Sequence, residues 1–373
     1  MEVRPGIVEN MGLDLAFWPG RSAFLTGHTG FKGGWLALFL HHLGARISGY
    51  ALDPPTSPSL FAQAELAKIF DADVRADIRD LETMNRAMAA AKPEIVFHLA
   101  AQSLVRESYR SPLETFAVNA MGTAHVLEAA RAVPGIKAVV VITSDKCYRN
   151  DSAAQFFSEN DPLGGDDPYS ASKACAEIVT HAYRKSFAAY PEHPLPPTAT
   201  ARAGNVIGGG DWSADRLIPD CIRAFTDGQA VTLRQPDAVR PWQHVLEPVY
   251  GYLLLAQRLA QGFVTAAEWN FGPSAESHAP VATVAATMAR HFSGKVIHAA
   301  GDAAMKEAHI LRLNSTRAHE GLGWHPLWPL DTALAETARW YKAAGERTPM
   351  LSFSLAQIEG FLRAVAQQPR RSL

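Results

Sequence analysis

Tyr169-Ser170-Ala171-Ser172-Lys173 puts a phenol and an ammonium four residues apart, which on a helix is one face. There the cation can stand beside the phenol and favour phenolate, lowering a pKa that is about 10 in the free side chain. A short loop upstream, Thr143-Ser144-Asp145-Lys146 sets a hydroxyl, an acid and a base in a row directly after an apolar block. Open α/β sheets bind ligands at the carboxyl ends of their strands, so this row is placed where chemistry is done. A third signal is Thr26-Gly27-His28-Thr29-Gly30-Phe31-Lys32-Gly33, a GxxGxxG between a strand and a helix. Glycines there let the chain turn tightly and let a pyrophosphate approach backbone N–H groups at a helix N-terminus. Glycine spacing alone also fits an ordinary strand-to-helix turn. Its context adds weight, because the second strand is read as ending at Asp53, where an acid can accept the hydroxyls of an adenosine ribose. No Arg or Lys occurs from Ala51 to Ala67 to neutralise a 2′-phosphate, so NAD is expected rather than NADP.

These residues need elements to hold them. Compact aliphatic or β-branched blocks at Arg21 to Thr26, Arg46 to Leu52, Glu94 to Ala100, Lys137 to Thr143 and Thr198 to Ala203 read as buried strands. Between them, Gly34 to Leu43, Leu81 to Ala91, Pro112 to Ala132 and Pro168 to Ala189 read as helices. A parallel neighbour requires a crossover long enough for a helix, so the alternation predicts an α/β fold with a doubly wound parallel sheet of the Rossmann type. After Asn205 the chain passes through Gly208-Gly209-Gly210 into mixed short elements with scattered strands, Val231 to Arg234 and Glu268 to Phe271. Two units are expected: a dinucleotide-binding domain over 1–205, and a smaller, irregular α/β substrate region over 206–373 that exchanges segments with it or packs on one sheet edge. The tail after Gln367 is expected to fray.

The 373 residues, with 47% hydrophobic and 19% charged, exclude global disorder. A net charge of -2 shows no polyanion attraction, so no nucleic-acid partner is expected. Cys147, Cys175 and Cys221 are too few and too scattered for a disulfide framework, no CxxC or HExxH spacing occurs, and a reducing compartment without a metal is expected. The first twenty residues carry acids, a proline and glycines where a signal peptide needs a basic start and an apolar stretch, and no run of about 18 apolar residues exists. A cytoplasmic protein that does not engage a membrane is the expectation.

Taken together, the glycine turn, the TSDK row and the Tyr-Lys pair resemble the extended short-chain dehydrogenase/reductase family from about Ser22 to Tyr341. The segment Leu313-Asn314-Ser315-Thr316-Arg317 through Leu322-Gly323-Trp324-His325-Pro326 to Trp340-Tyr341 also looks like that family's C-terminal region. Two residues after the active-site Ser or Thr set its dehydratase branch apart, and here they are Asp145-Lys146. With GHTGFKGGW, the run Gly49 to Phe61, TSDKCY and Arg240-Pro241-Trp242-Gln243-His244-Val245, the combination resembles the members acting on CDP-D-glucose. Ser103 departs from the pattern, which has proline there.

The resemblance implies a retained NAD and a sugar-nucleotide substrate, CDP-glucose. It assigns catalysis to Ser144, Asp145, Lys146, Tyr169 and Lys173. It implies that Gly27, Thr29, Gly30, Phe31, Lys32, Gly33 and Asp53 bind the cofactor, that Asp77 and Ile78 hold the adenine, and that Leu99, Ala100 and Ala101 line the cofactor with Tyr169 and Lys173. Asn205, Arg234 and Arg240 are expected to face the substrate phosphates, a task suited to a bidentate guanidinium. Trp212, Trp242 and His244 read equally as packing or binding residues. A homodimer through the Pro112 to Ala132 and Pro168 to Ala189 helices is expected, since Phe116, Met121, Val126, Ile178 and Phe187 occupy more than one face. A UDP-sugar dehydratase, an epimerase and a silent NAD-sensing protein of the same fold stand as alternatives, because fold alone does not separate them.

Overall fold

Side chains alternate across a strand, and here the alternation divides two cores. In the computed structural model, which describes residues 12–150, 156–264, 267–298 and 311–368, the first five strands are β1 (Ser22–Thr26), β2 (Arg46–Ala51), β3 (Ala72–Arg75), β4 (Ile95–His98) and β5 (Ala138–Ile142). Ala23, Leu25, Ile47, Phe97, Val140 and Ile142 face one core. Phe24, Tyr50, Val96, Val139 and Val141 face the other, with Met84, Met88, Val126 and Leu127 from the covering helices Leu81–Ala91 and Gly122–Ala132. Both faces of β1, β4 and β5 are therefore covered, as a parallel sheet requires.

The sheet has seven strands in the order Glu268–Asn270, Thr198–Arg202, β5, β4, β1, β2, β3, with every pair parallel. Strand order reverses between β1 and β4, and the crevice at that switch point is where such sheets bind ligands. Helix α1 (Phe31–His42) leaves β1 through the glycine turn, starting a turn earlier than the expected Gly34. It is buried from Gly33 to Leu40 because the helix Met350–Gln367 packs on its outer side.

Three features differ from the sequence reading. β3 carries no apolar block and was not anticipated; as an edge strand it needs little burial. Glu268–Asn270 lies in the span expected to form the irregular second region, yet it pairs with Thr198–Arg202 and extends the main sheet. Finally, the chain after Asn205 is richer in long helices than the expected short mixed elements. It holds Leu217–Thr226, Leu246–Ala260, Val281–Phe292, Leu330–Gly345 and Met350–Gln367. Leu246–Ala260 shows why periodicity missed them: it is buried from Leu246 to Leu259, so it has no polar face to mark it. From residue 369 the expected frayed tail lies outside the described residues.

Candidate active site

β5 ends at Ile142, and the chain turns into a 3₁₀ segment, Asp145–Cys147, whose N-cap is Ser144. Ser144 Oγ accepts from Lys146 N at 3.2 Å and donates to Asp145 Oδ1 at 2.9 Å, which fixes the turn and the Asp145 side chain relative to the hydroxyl. Asp145 is pressed against Gly204, where a Cβ would stand 1.9 Å from Asp145 Oδ2, so no larger residue fits there. The helix Pro168–Phe187 starts cleanly: Asp167 caps it by accepting from Ser170 N at 2.9 Å, and proline occupies its first position. Tyr169 enters from that first turn and hydrogen-bonds Ser144. One turn on, Lys173 Nζ donates to the Ile142 carbonyl at 3.5 Å.

Ser144, Asp145, Lys146 and Tyr169 line one cavity of about 520 Å³, together with Phe31, Lys32, Asn205, Arg234 and Arg240. Lys173 is not on that wall and is buried. The other expected cofactor residues lie beyond the cavity, along the carboxyl ends of β1 to β4. Gly27 has a φ of +75° and approaches the β4 loop so closely that a Cβ would stand 2.6 Å from Ala100 N. A Cβ on Gly33 would stand 2.2 Å from the Gly27 carbonyl. Gly30 caps α1 without a side chain, and no acid occupies the first turn, leaving a helix N-terminus suited to an anion. Thr29 Oγ1 donates to the Leu52 carbonyl, and Thr26 Oγ1 accepts from Leu99 N and Ala100 N, tying the β1, β2 and β4 loops together. Ala101 follows on the same loop. The Asp77 carbonyl accepts from Tyr50 Oη, its carboxylate pairs with Arg79, and Ile78 is buried against Gly122. This glycine-lined cradle fits a dinucleotide.

Two expectations need correction. β2 ends at Ala51, so Asp53 lies two residues beyond it, with its side chain 89% exposed, and Arg75 Nη1 is 3.9 Å away. The 51–67 segment holds no cation, but the parallel register sets Ala51 opposite Arg75, and β3 delivers one. The phenol pKa lowering expected from the Tyr169–Lys173 pair also meets an opposing effect in the folded chain. Burial pushes the Tyr169 phenol up to about 12, with the Ser144 hydrogen bond and the Arg216 charge working against it. Burial likewise lowers Lys173 to about 8, opposed by Glu177. Lys32, buried beside Arg216 and Lys173, is lowered to about 8 as well.

Several residues essential to this geometry escaped the sequence reading. Glu177, one turn past Lys173, accepts from Thr143 Oγ1, from Thr200 Oγ1 at 2.7 Å and from Arg202 Nη2 at 2.8 Å, and both ions are buried. Arg202 continues to Tyr148 Oη at 2.7 Å, so this network anchors both ends of the Ser144-to-Cys147 turn. The expected helix Pro112 to Ala132 contains a π turn, Ala117–Met121. There Asn119 Nδ2 donates to Ser172 Oγ at 2.8 Å and to the Gln102 carbonyl. An i to i+4 count would have found Glu177; nothing local marks Asn119. Trp242 and His244 are buried, Trp242 Nε1 donating to the Ala279 carbonyl, and Trp212 bonds Gln63. All three cysteines are free. Among the described residues, no group of three or more His, Cys, Asp or Glu side chains is arranged to hold a metal.

A glycine turn at the switch point of a parallel sheet, with a Tyr-Lys helix beside Ser144, defines an enzyme of the dinucleotide-binding class. The model of the GDP-mannose 4,6 dehydratase family matches residues 24–337, and the chain belongs to that family. It is 47% identical over 360 residues to the CDP-glucose 4,6-dehydratase of Salmonella typhimurium, covering 95% of this chain and 100% of the relative. It is 28% identical to the UDP-glucose 4-epimerase of Mycolicibacterium smegmatis over 72% of this chain and 82% of that one. The solved dTDP-glucose 4,6-dehydratase of Bacillus anthracis, in complex with NAD, shares the fold with a TM-score of 0.73 at 19% identity, covering 89% of this chain and 100% of that one.

Proposed function

We propose that the protein converts CDP-D-glucose to CDP-4-keto-6-deoxy-D-glucose with loss of water. The observation that carries this reading is the meeting of an acid and a base, Asp145 and Lys146, with the Ser144 and Tyr169 hydroxyls around one cavity. Identity to the Salmonella CDP-glucose 4,6-dehydratase over the whole of that relative supports the choice of substrate.

Gly27, Thr29, Gly30, Phe31, Lys32 and Gly33 would hold the NAD diphosphate at the start of α1, with Asp53 on the adenine-side ribose, Asp77 and Ile78 at the adenine, and Leu99 to Ala101 along its length. Tyr169 and Lys173 would meet the nicotinamide ribose. When bound, NAD supplies an acceptor for the C4 hydride, a positive charge in the desolvated site, and the same hydride back at C6, so none is consumed. With that positive charge favouring phenolate, Tyr169 takes the C4 hydroxyl proton while Ser144 hydrogen-bonds that oxygen. The resulting 4-ketone acidifies the C5–H bond. Lys146 as the neutral amine removes that proton, and Asp145 as the carboxylic acid gives its proton to the C6 hydroxyl as water leaves. Asn205, Arg234 and Arg240 face the substrate's diphosphate. On this reading residues 1–205 carry the cofactor and 206–373 most of the sugar-nucleotide contacts, while Leu246–Ala260 and Glu268–Asn270 return to the sheet.

Free thiols suit the cytoplasm, and no helix among the described residues is long and apolar enough to cross a membrane. Incubation with CDP-glucose, dTDP-glucose, UDP-glucose and UDP-N-acetylglucosamine, with detection of the 4-keto product, tests the assignment. Turnover of CDP-glucose is expected. Preferred turnover of a uridine sugar, epimerisation without loss of water, or NAD binding with no turnover would each replace it.

A further inference from the structure

At the cavity mouth, two guanidiniums from distant parts of the chain converge on one carboxylate. Arg106, in the helix Val105–Arg110, stands 3.4 Å from Asp215 Oδ1. Arg234, just past the strand Ala230–Leu233, stands 3.2 Å from the same oxygen. All three line the cavity that holds Ser144 and Tyr169, and all three are about one-third to two-fifths exposed. A half-exposed ion triplet adds little to folding stability, so folding gives no strong reason to bring two like charges together here. Nearby charges have closer partners of their own: Arg216 is engaged by Asp211 at 2.9 Å, and Asp220, which also feels the Arg234 charge, is engaged by Arg223.

We propose that Asp215 holds the place of a substrate phosphate between Arg106 and Arg234, and that the diphosphate of a nucleoside diphosphate sugar displaces it, which makes Arg106 a diphosphate-binding residue. The inference rests on the sugar-nucleotide reading and names a contact that the sequence did not reveal. Carboxylate and phosphate oxygens offer the same fork-shaped acceptor to a guanidinium. An esterified diphosphate carries about two negative charges against one on Asp215, so exchange strengthens the field on both arginines. Asp215 therefore keeps the two arginines together in the free protein and competes with the ligand that replaces it.

The test is calorimetric titration of the full chain with CDP, cytidine and inorganic pyrophosphate. Asn adopts the left-handed backbone of residue 215 (φ +62°) as readily as Asp, so Asp215→Asn removes charge without straining the loop. CDP and pyrophosphate should bind it about three- to tenfold more tightly than the parent, while cytidine is unchanged. Arg106→Gln should weaken CDP about tenfold or more, with cytidine again unchanged and Arg106→Lys intermediate. Both effects should shrink as salt is raised. Unchanged or weaker CDP binding by Asp215→Asn would overturn the proposal, as would equal losses for CDP and cytidine in Arg106→Gln. Absence of both CDP and pyrophosphate binding to the parent would overturn it too. Parallel titrations with UDP and dTDP separate the two readings: tighter binding of another base defeats the CDP-glucose assignment, while the shift common to every diphosphate keeps this one.

Discussion

Asp145 and Lys146 are adjacent in sequence but meet different surroundings. Asp145 is buried, fixed by Ser144 and walled by Gly204, whereas Lys146 is only half-buried and faces the cavity. That difference suits the proposed roles, a base that reaches a substrate carbon and an acid held for one leaving hydroxyl. Lys146→Met keeps roughly the side-chain length and removes the base. The first oxidation should proceed, dehydration should slow by about a hundredfold to ten-thousandfold, and absorbance of reduced cofactor should accumulate with CDP-glucose. Tyr169→Phe should abolish that absorbance, because the C4 hydroxyl proton has no acceptor. Normal turnover by Lys146→Met would show that the roles are misassigned even if the substrate is right.

At the level of elements, two buried carboxylates do different work. Glu177 joins the helix Pro168–Phe187 to Thr143 at the end of β5 and to Thr200 and Arg202 in the next strand. Burial raises its pKa, but Arg202 and the two hydroxyls more than offset this, so the carboxyl stays below its usual range. Glu177→Gln should destabilise the fold by about 3–5 kcal/mol in denaturant titration, because Arg202 would be left buried without its counter-charge. Glu247 has no such partner among the described residues. It opens the helix Leu246–Ala260 and accepts from Leu327 N and Trp328 N, and burial pushes its carboxyl up to about 8. Between pH 4.5 and about 8 the folded protein keeps a proton that the unfolded chain releases, so this group's contribution to stability falls across that window and is flat above it. Glu247→Gln cannot ionise, so its Tm relative to the parent should rise steadily from pH 5 to pH 8. A difference independent of pH would mean that Glu247 is already charged in the folded protein.

For the whole molecule, the covering helices determine which apolar residues remain for a partner. Val126, expected at the interface, is buried against the sheet, and Phe187 packs partly into the same core. Met121 and Ile178 are 55% and 56% exposed, and Leu113 is 85% exposed, on helices that pack against one another. Exposed side chains of this size on paired helices fit the proposed homodimer. The double substitution Met121→Glu with Ile178→Glu should turn a dimer into a monomer in sedimentation at micromolar concentration, with the far-UV spectrum unchanged. A parent protein that already sediments as a monomer would dispose of the interface.

What the sequence determined by itself was everything carried by one element and its flanking turn. The Tyr169–Lys173 spacing, the Ser144-Asp145-Lys146 row and the glycines around Gly30 follow from helix periodicity and from the turn that joins β1 to α1. The strand alternation was legible for the same reason, because each strand buried on both faces is a short apolar run. Tertiary structure decided what arrives from elsewhere. Arg75 comes beside Asp53 through the β2–β3 register, Gly204 beneath Asp145 from the end of a neighbouring strand, and Asp215 between Arg106 and Arg234 across the cavity. The protonation of Tyr169 belongs to this second group. Burial by residues from distant parts of the chain pushes the phenol pKa up, and no helix spacing announces that.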